Sequence, residues 1–251
     1  MKIKSAYKFQ MSELSKPVLI YYIVIAALMI MVAVTQKVMD SRGFESSASG
    51  FEMATVIFLF VCGLNAFKQP FHMFMANGVS RKSGFIGTIA AFGTVSVGMA
   101  LIDGLLSLVM SLFLRYETLF AQQYGTRYGW AEGSGVTVGL AAESFLWAVF
   151  CYMAAAMLGL AITTAYYRMN KPLKLAVSIG VPVLVLIVIP IVDASVFGGA
   201  ITYAVMNIIA MATSILGKGN PYSMVLCNVF WILIMGGVSW LLVRRATVRT
   251  Q

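Results

Sequence analysis

The chain has 251 residues, of which 60% are hydrophobic and 11% charged, with a mean hydropathy of +0.88 and a formal net charge of +9. A water-soluble domain carries about 45–50% apolar and about 25% charged residues, so an ordinary soluble fold is excluded. The positive balance reads as the orienting charge of a membrane protein and not as a nucleic-acid footprint.

Residues 1–16 precede any span. On a helical wheel Ile3, Tyr7, Met11 and Leu14 share one face with Ala6 beside them, and Lys2, Lys4, Lys8, Ser12 and Lys16 lie opposite. That pattern describes an amphipathic helix lying on an anionic leaflet; the competing reading is a basic tail without structure. Pro17 marks a break. Val18–Thr35 is the first span, retained because no small-residue cleavage site follows it. Gln36–Glu52, with Asp40, Arg42 and Glu45, is a polar loop.

Met53–Met75 is the second span, with Lys68 able to snorkel and Pro70 expected to kink it. His72, the only histidine, has no acid or cysteine nearby and reads as an interfacial residue. Ala76–Gly84 is a short polar break containing Arg81 and Lys82, with Gly78 and Gly84 placed to permit tight turns. Phe85–Leu114 is the third span, about 45 Å long if helical, so it tilts or projects. Small residues recur four apart along it, as Ser83, Gly87 and Ala91 and as Ala90, Thr94 and Gly98, a spacing that lets helix backbones approach.

Arg115–Gly135 is a polar loop with Tyr116, Tyr124, Tyr128 and Trp130. Val136–Ala165 is the fourth span, with an alanine patch at 154–156, and Tyr166–Lys174 is a second basic loop. Leu175–Val192 is the fifth span, with Pro182 and Pro190 inside it. Ala194–Leu216 is apolar but interrupted by Gly198, Gly199 and Asn207. Gly217–Tyr222 is a turn, and Met224–Val243 is the last span, followed by Arg244, Arg245 and Arg249. These runs are continuous, unlike the alternating segments of a β-barrel.

Charge fixes the expected topology. With the N-terminus, the two short basic loops and the C-terminus on one side, that side holds 13 of the 18 Lys and Arg. The other side holds Lys37, Arg42, Arg115, Arg127 and Lys218. Lys/Arg excess marks the cytoplasmic face, so both termini are cytoplasmic and the number of spans is even. Ala194–Leu216 is therefore expected to be a re-entrant or interfacial helical pair on the outer side. The expected fold is an all-α, six-span protein of the cell membrane, one domain over 1–251: a connecting helix at 1–16, a bundle at 17–243 and a tail at 244–251.

Little chemistry is legible. Asp103 and Glu143 are acids within spans and so functional candidates, but both are expected near the outer boundary, Asp103 well along the long third helix and Glu143 about seven residues inside the outer end of the fourth span. Gly217-Lys218 is the only Gly-Lys pair and Gly219 follows it, so no nucleotide-binding loop is present. One histidine and three cysteines scattered in apolar runs, Cys62, Cys151 and Cys227, make neither a metal cluster nor a disulfide framework. No catalytic set, cofactor site or metal site is expected on this chain.

The layout of an amphipathic helix before span one, a tight Asn77–Lys82 loop between spans two and three, a second basic loop, and an outer helical pair before span six resembles the permease subunits of ABC-2 type (type V) ATP-binding-cassette exporters. The sequence Asn-Gly-Val-Ser-Arg-Lys is similar to that of small Gram-positive permeases. The resemblance implies a dimer with a second, identical or different, permease chain and two separate ATPase subunits that carry ATP and magnesium. It implies that Asn77, Gly78, Val79, Ser80, Arg81 and Lys82 form the main coupling element, Arg168 and Lys171 part of a second, and residues 2–16 a helix beside the ATPase. The exported substrate would be hydrophobic or amphipathic: a peptide, a toxin or a drug. The alternative is a self-sufficient ion-coupled carrier or channel using Asp103 and Glu143.

The charge count makes a direct prediction. Single cysteines replacing Arg42, Arg127 and Lys218 should react with an impermeant thiol reagent added to intact cells. Cysteines replacing Arg81, Lys171 and Arg245 should react only after permeabilisation, and labelling of position 245 from outside would refute an even number of spans.

Overall fold

The computed structural model describes residues 2–43, 48–128, 138–213 and 220–246. Of the positions named above, Glu45, Trp130, Gly135, Val136, Leu216, Gly217, Lys218, Gly219 and Arg249 fall outside these residues, as do the side chains of Arg127 and Tyr128. The described chain forms helices α1 (Ile3–Ser41), α2 (Phe51–Asn65), α3 (Lys68–Ala76), α4 (Arg81–Phe113), α5 (Leu119–Tyr128), α6 (Val138–Arg168), α7 (Lys171–Val183), α8 (Ile189–Val196), α9 (Ala200–Thr213) and α10 (Pro221–Arg244). Two short parallel strands, β1 (Ala48–Ser49) and β2 (Tyr116–Glu117), pair Ala48 with Tyr116 and Ser49 with Glu117. Five helical stretches are long and apolar enough to cross a bilayer, or six if the bent pair α2–α3 counts as one span. The protein is therefore membrane-embedded and almost wholly helical.

Several local expectations change. Pro17 does not break the chain: residues 3–41 form one helix, about 58 Å long at 1.5 Å per residue. A proline removes one rung of the helix ladder and crowds one carbonyl, and here the packed flanking turns carry the helix through it. The lysine face is exposed as expected, but Ala6, Gln10 and Leu14 on the opposite face are buried in protein. Gly87 of α4 makes that contact possible, since a Cβ there would lie 2.8 Å from the Ala6 Cβ. Span two does bend, by 41°, but at Ala66–Phe67. Pro70 lies in the first turn of α3, where its missing N–H would have bonded back to Ala66. Gly84 lies inside α4 and serves close packing, not a turn: a Cβ there would meet the Phe74 ring at 2.8 Å. Residues 119–128 of the expected loop are helical, and the stretch between Pro182 and Pro190 is a single π-helical turn, Leu184–Val188.

Helix directions follow from the contacts. Ala6 meets Gly87 and Tyr22 meets Asp103, so α1 and α4 run parallel. Gly63 meets Ala156 and Phe67 meets Tyr167, so α2 and α6 run parallel to each other; α10 runs with them, through Met224 on Trp147 and Gly236 on Met157. The β1–β2 pair joins the start of α2 to the end of α4, so these two groups are antiparallel. One end of the bundle, here the basic end, thus gathers residues 2, 77–81, 168–171 and 244.

Helix α6 is the hub, packed on α2, α10 and α4. Its tightest partner is α2. A Cβ on Gly63 would fall on the Ala156 carbonyl, and one on Gly159 would fall on the Phe60 carbonyl. In lipid, helices associate through packing and not through exclusion of water, so this backbone contact is a main source of cohesion. The stretch α7–α8 is the opposite case, with Leu186 73% exposed and no residue of Lys171–Val183 buried. Such an apolar surface belongs in hydrocarbon.

Gly63→Ala and Gly159→Ala should each destabilise the protein by about 1–3 kcal/mol or more, because backbone must move. Gly93→Ala and Gly98→Ala, which face open space, should cost nothing measurable. Thermal unfolding in detergent compares the four.

Candidate functional site

The stretch Asn77–Lys82 is a fully specified connection. Helix α3 ends in a paired cap: the Val79 N–H donates to the Phe74 carbonyl at 2.9 Å and the Gly78 N–H to the Met75 carbonyl at 3.2 Å. Gly78 has φ +63°, the left-handed conformation this cap requires. Buried Val79 packs on Phe74 and Ala6, completing the motif's apolar contact. Ser80 then caps α4, its Oγ accepting from the Ser83 N–H at 3.2 Å. Only residues 77–80 separate the two helices, and each has a structural task or an exposed face.

The cations there are partly engaged within the chain. Arg81 Nη1 donates to the Arg244 carbonyl at 2.8 Å, capping the end of α10, and Lys2 Nζ donates to the Asn77 carbonyl at 3.3 Å. Lys82, Arg168 and Lys171 are exposed. Arg168 and Lys171 flank the two-residue junction of α6 and α7. An aromatic cluster joins the two basic stretches: Tyr167 lies edge-on to Phe67, Phe71 and His72, at ring separations of 5.3, 5.8 and 6.2 Å. His72 is thus a packing residue at the basic end.

The second constellation surrounds Asp103. Its Oδ1 accepts from the Tyr22 hydroxyl at 2.8 Å, and its Oδ2 accepts from Thr55 at 2.7 Å and from Tyr152 at 2.6 Å. Tyr21 extends the set through a 2.7 Å bond to Thr55. Asp103 was expected at the water-facing end of a projecting helix; instead, three other helices converge on it. Among the described residues none of its partners is a cation. A carboxylate in an apolar bundle must be hydrogen-bonded, and the three hydroxyls do this.

A small cleft beside Asp103 is lined by Tyr21, Glu52, Thr55, Ser107 and Tyr116. Glu52 Oε2 accepts from the Tyr116 hydroxyl at 3.0 Å. Burial, then the adjacent Glu52 charge, raises the Tyr116 phenol above its ordinary pKa. Glu143, the other sequence candidate, lies away from this cluster, accepting from Tyr222 at 2.8 Å.

Sequence reading missed Tyr22, Thr55, Tyr152 and Glu52. Hydroxyls inside otherwise apolar runs were the available signal, but nothing in their order along the chain says that they meet. Asp193 was also missed. Its carboxylate accepts the Ile201 and Thr202 N–H groups at 2.8 and 2.7 Å, and its carbonyl accepts from Phe197 and Gly199. It fastens the first turn of α9 to the end of α8 across the Gly198–Gly199 turn, where both φ values are positive.

Among the described residues no group of three or more His, Cys, Asp or Glu is placed to hold a metal ion. The arrangement suits proton or ion binding at Asp103 and contact with a partner at the basic end. The class of protein defined is a membrane-embedded helical bundle. No family model, curated protein or solved structure matches this chain.

Thr55→Val and Tyr152→Phe should each lower stability by about 1.5–3 kcal/mol, the cost of a hydrogen bond to a charged group. Ser107→Ala, in the same cleft but hydrogen-bonded only to its own helix, should cost much less. Unfolding in detergent measures all three.

Proposed function

We propose that this chain is the membrane permease subunit of an ATP-driven exporter of the ABC-2 type, moving a hydrophobic or amphipathic substrate outward with ATP hydrolysed on separate subunits. The observation that supports this reading most is the Asn77–Lys82 connection. It has no slack, is capped on both sides, and is tied through Lys2 to α1 and through Arg81 to α10. A push on this loop moves α3 and α4 together and is felt by two further helices. The exposed cations Lys82, Arg168 and Lys171 offer acidic partner surfaces a landing place at the same end.

On this reading α2–α3 is one span, giving six, with both termini cytoplasmic. The Lys/Arg balance keeps the helix α9 region from crossing, because a crossing there would put Arg244, Arg245 and Arg249 outside. With Asp193 holding it to α8, it fits an outer re-entrant or interfacial element. Two permease chains and two ATPase chains would form the working unit. The second reading, an ion-coupled carrier, is favoured by one observation: Asp103 sits in a hydroxyl cage with no cation among its described partners.

Lys82→Gln is the cleaner coupling test, because Arg81→Gln also removes the cap of α10. With the ATPase co-purified, Lys82→Gln combined with Lys171→Gln should reduce substrate-stimulated ATP hydrolysis several-fold while the isolated ATPase is unchanged. Retention of full stimulation would remove the coupling role from these cations. Transport that persists with an inactive ATPase and collapses with a protonophore would favour the carrier.

A further inference from the structure

We propose that Asp103 is a proton-binding site and that Tyr22 is a two-position rotor serving both of its protonation states. Donors and acceptors alone define the site, whichever energy source drives the protein.

Consider the ionised state. A threonine hydroxyl has one proton to give. Thr55 gives its proton to Asp103 Oδ2, so the 2.7 Å bond to Tyr21 must have Tyr21 as donor. Tyr152 gives its proton to the same Oδ2. The two in-plane acceptor positions of Oδ2 are then filled. Among the described residues Oδ1 accepts only from Tyr22.

Now add a proton from water. It has no vacancy on Oδ2 and goes to Oδ1, where the nearest acceptor is the Tyr22 oxygen. Asp103 becomes the donor in that bond, and the Tyr22 proton needs a new acceptor. One is in place: the Met99 carbonyl, 3.1 Å from the same hydroxyl. Met99 is four residues before Asp103 on α4, and a carbonyl that takes a helix N–H keeps a second lone pair. A rotation about the Tyr22 C–O bond completes the exchange. No donor or acceptor is orphaned in either state, no covalent bond other than O–H forms or breaks, and nothing but a proton is consumed.

Tyr152 is placed differently: its hydroxyl donates to Oδ2, and the other hydroxyl beside it, that of Thr55, already accepts the Tyr21 proton. The other titratable groups facing the site are Tyr21 and Tyr22 on α1, Glu52 on α2, Tyr116 on β2 and Tyr152 on α6. Glu52 and Tyr116 line the cleft that reaches Asp103, so the proton's path is polar on one side. Protonation replaces charge-assisted bonds by neutral ones of roughly half the strength. The grip of α4 on α1, α2 and α6 weakens together at one level, which links proton uptake to helix movement.

The test is an infrared pH titration of the full chain in lipid nanodiscs, with carboxyl-labelled aspartate. Asp40, Asp103 and Asp193 are the only aspartates, so the label separates this site from Glu52. A protonated-carboxyl band that Asp103→Asn removes is expected. Tyr152→Phe takes a charge-assisted donor from the ionised state but only a weaker neutral one from the protonated state, where Thr55 still serves Oδ2, and should move its midpoint to higher pH by about one unit, a tenfold change in proton affinity. Tyr22→Phe removes a partner from both states and should move it by less than half as much. Should Asp103→Asn not fold, the response of the labelled band to Tyr152→Phe assigns it instead. Absence of any labelled band that responds to these changes would overturn the proton site. Equal shifts in Tyr22→Phe and Tyr152→Phe would overturn the rotor.

Discussion

A carboxylate inside an apolar bundle must find donors, and Asp103 takes them from three other helices. Tyr22 on α1, Thr55 on α2 and Tyr152 on α6 all end on its two oxygens. Because each bond has a narrow range of length and angle, the rotation and height of four helices are fixed together at this level. The geometry in turn depends on the glycines. Thr55 has a short side chain and Tyr152 a long one, yet both reach Oδ2. They do so because Gly63 and Gly159 let α2 and α6 approach until side chains no longer separate their backbones. The Asp103 cage and the α2–α6 contact are thus one construction, and α6 is the hub because it takes part in both.

The basic end is built on a different principle, the satisfaction of helix ends. Helices leave unpaired carbonyls at their C-termini, and here several of them are met locally. Gly78 and Val79 close α3, and Arg81 closes α10. The same contacts that cap the ends also join them, so this end of the bundle behaves as a plate to which α1, α3, α4 and α10 are attached. The Tyr167 aromatic cluster adds the end of α6. Stiffness here and a titratable cage further along α4 lie on the same 33-residue helix, which offers a physical route between them.

Helices α7 and α8 show what the bundle does not need. Their apolar side chains are exposed on every face, and the fifth span keeps to the bundle's side by its short junction with α6 and a Tyr166–Ser178 hydroxyl contact. In water this surface would aggregate; in lipid it is already in its preferred solvent. Asp193 then ends the run and starts the next helix, because a carboxylate at a helix N-terminus meets both unpaired N–H groups and the positive end of the dipole.

The sequence by itself determined the membrane class, most span positions and the tight loop at 77–80. These depend on local composition: apolar length against bilayer thickness, Gly78 for a left-handed turn, Ser80 for a helix cap. It also marked Ser83, Gly87 and Ala91 as a packing track, and that track is buried. Local rules erred where a neighbour overrode them. Pro17 was expected to end a helix that packing carries through, and Gly84 was expected to turn the chain where it admits the Phe74 ring. Only the tertiary structure decided that Asp103 is caged and that Glu143 lies apart from it. The residues concerned, at positions 22, 55, 103 and 152, are far apart in the chain, and their meeting depends on helix rotation and separation. Those quantities are set by side-chain packing between helices, which no spacing within a single helix encodes.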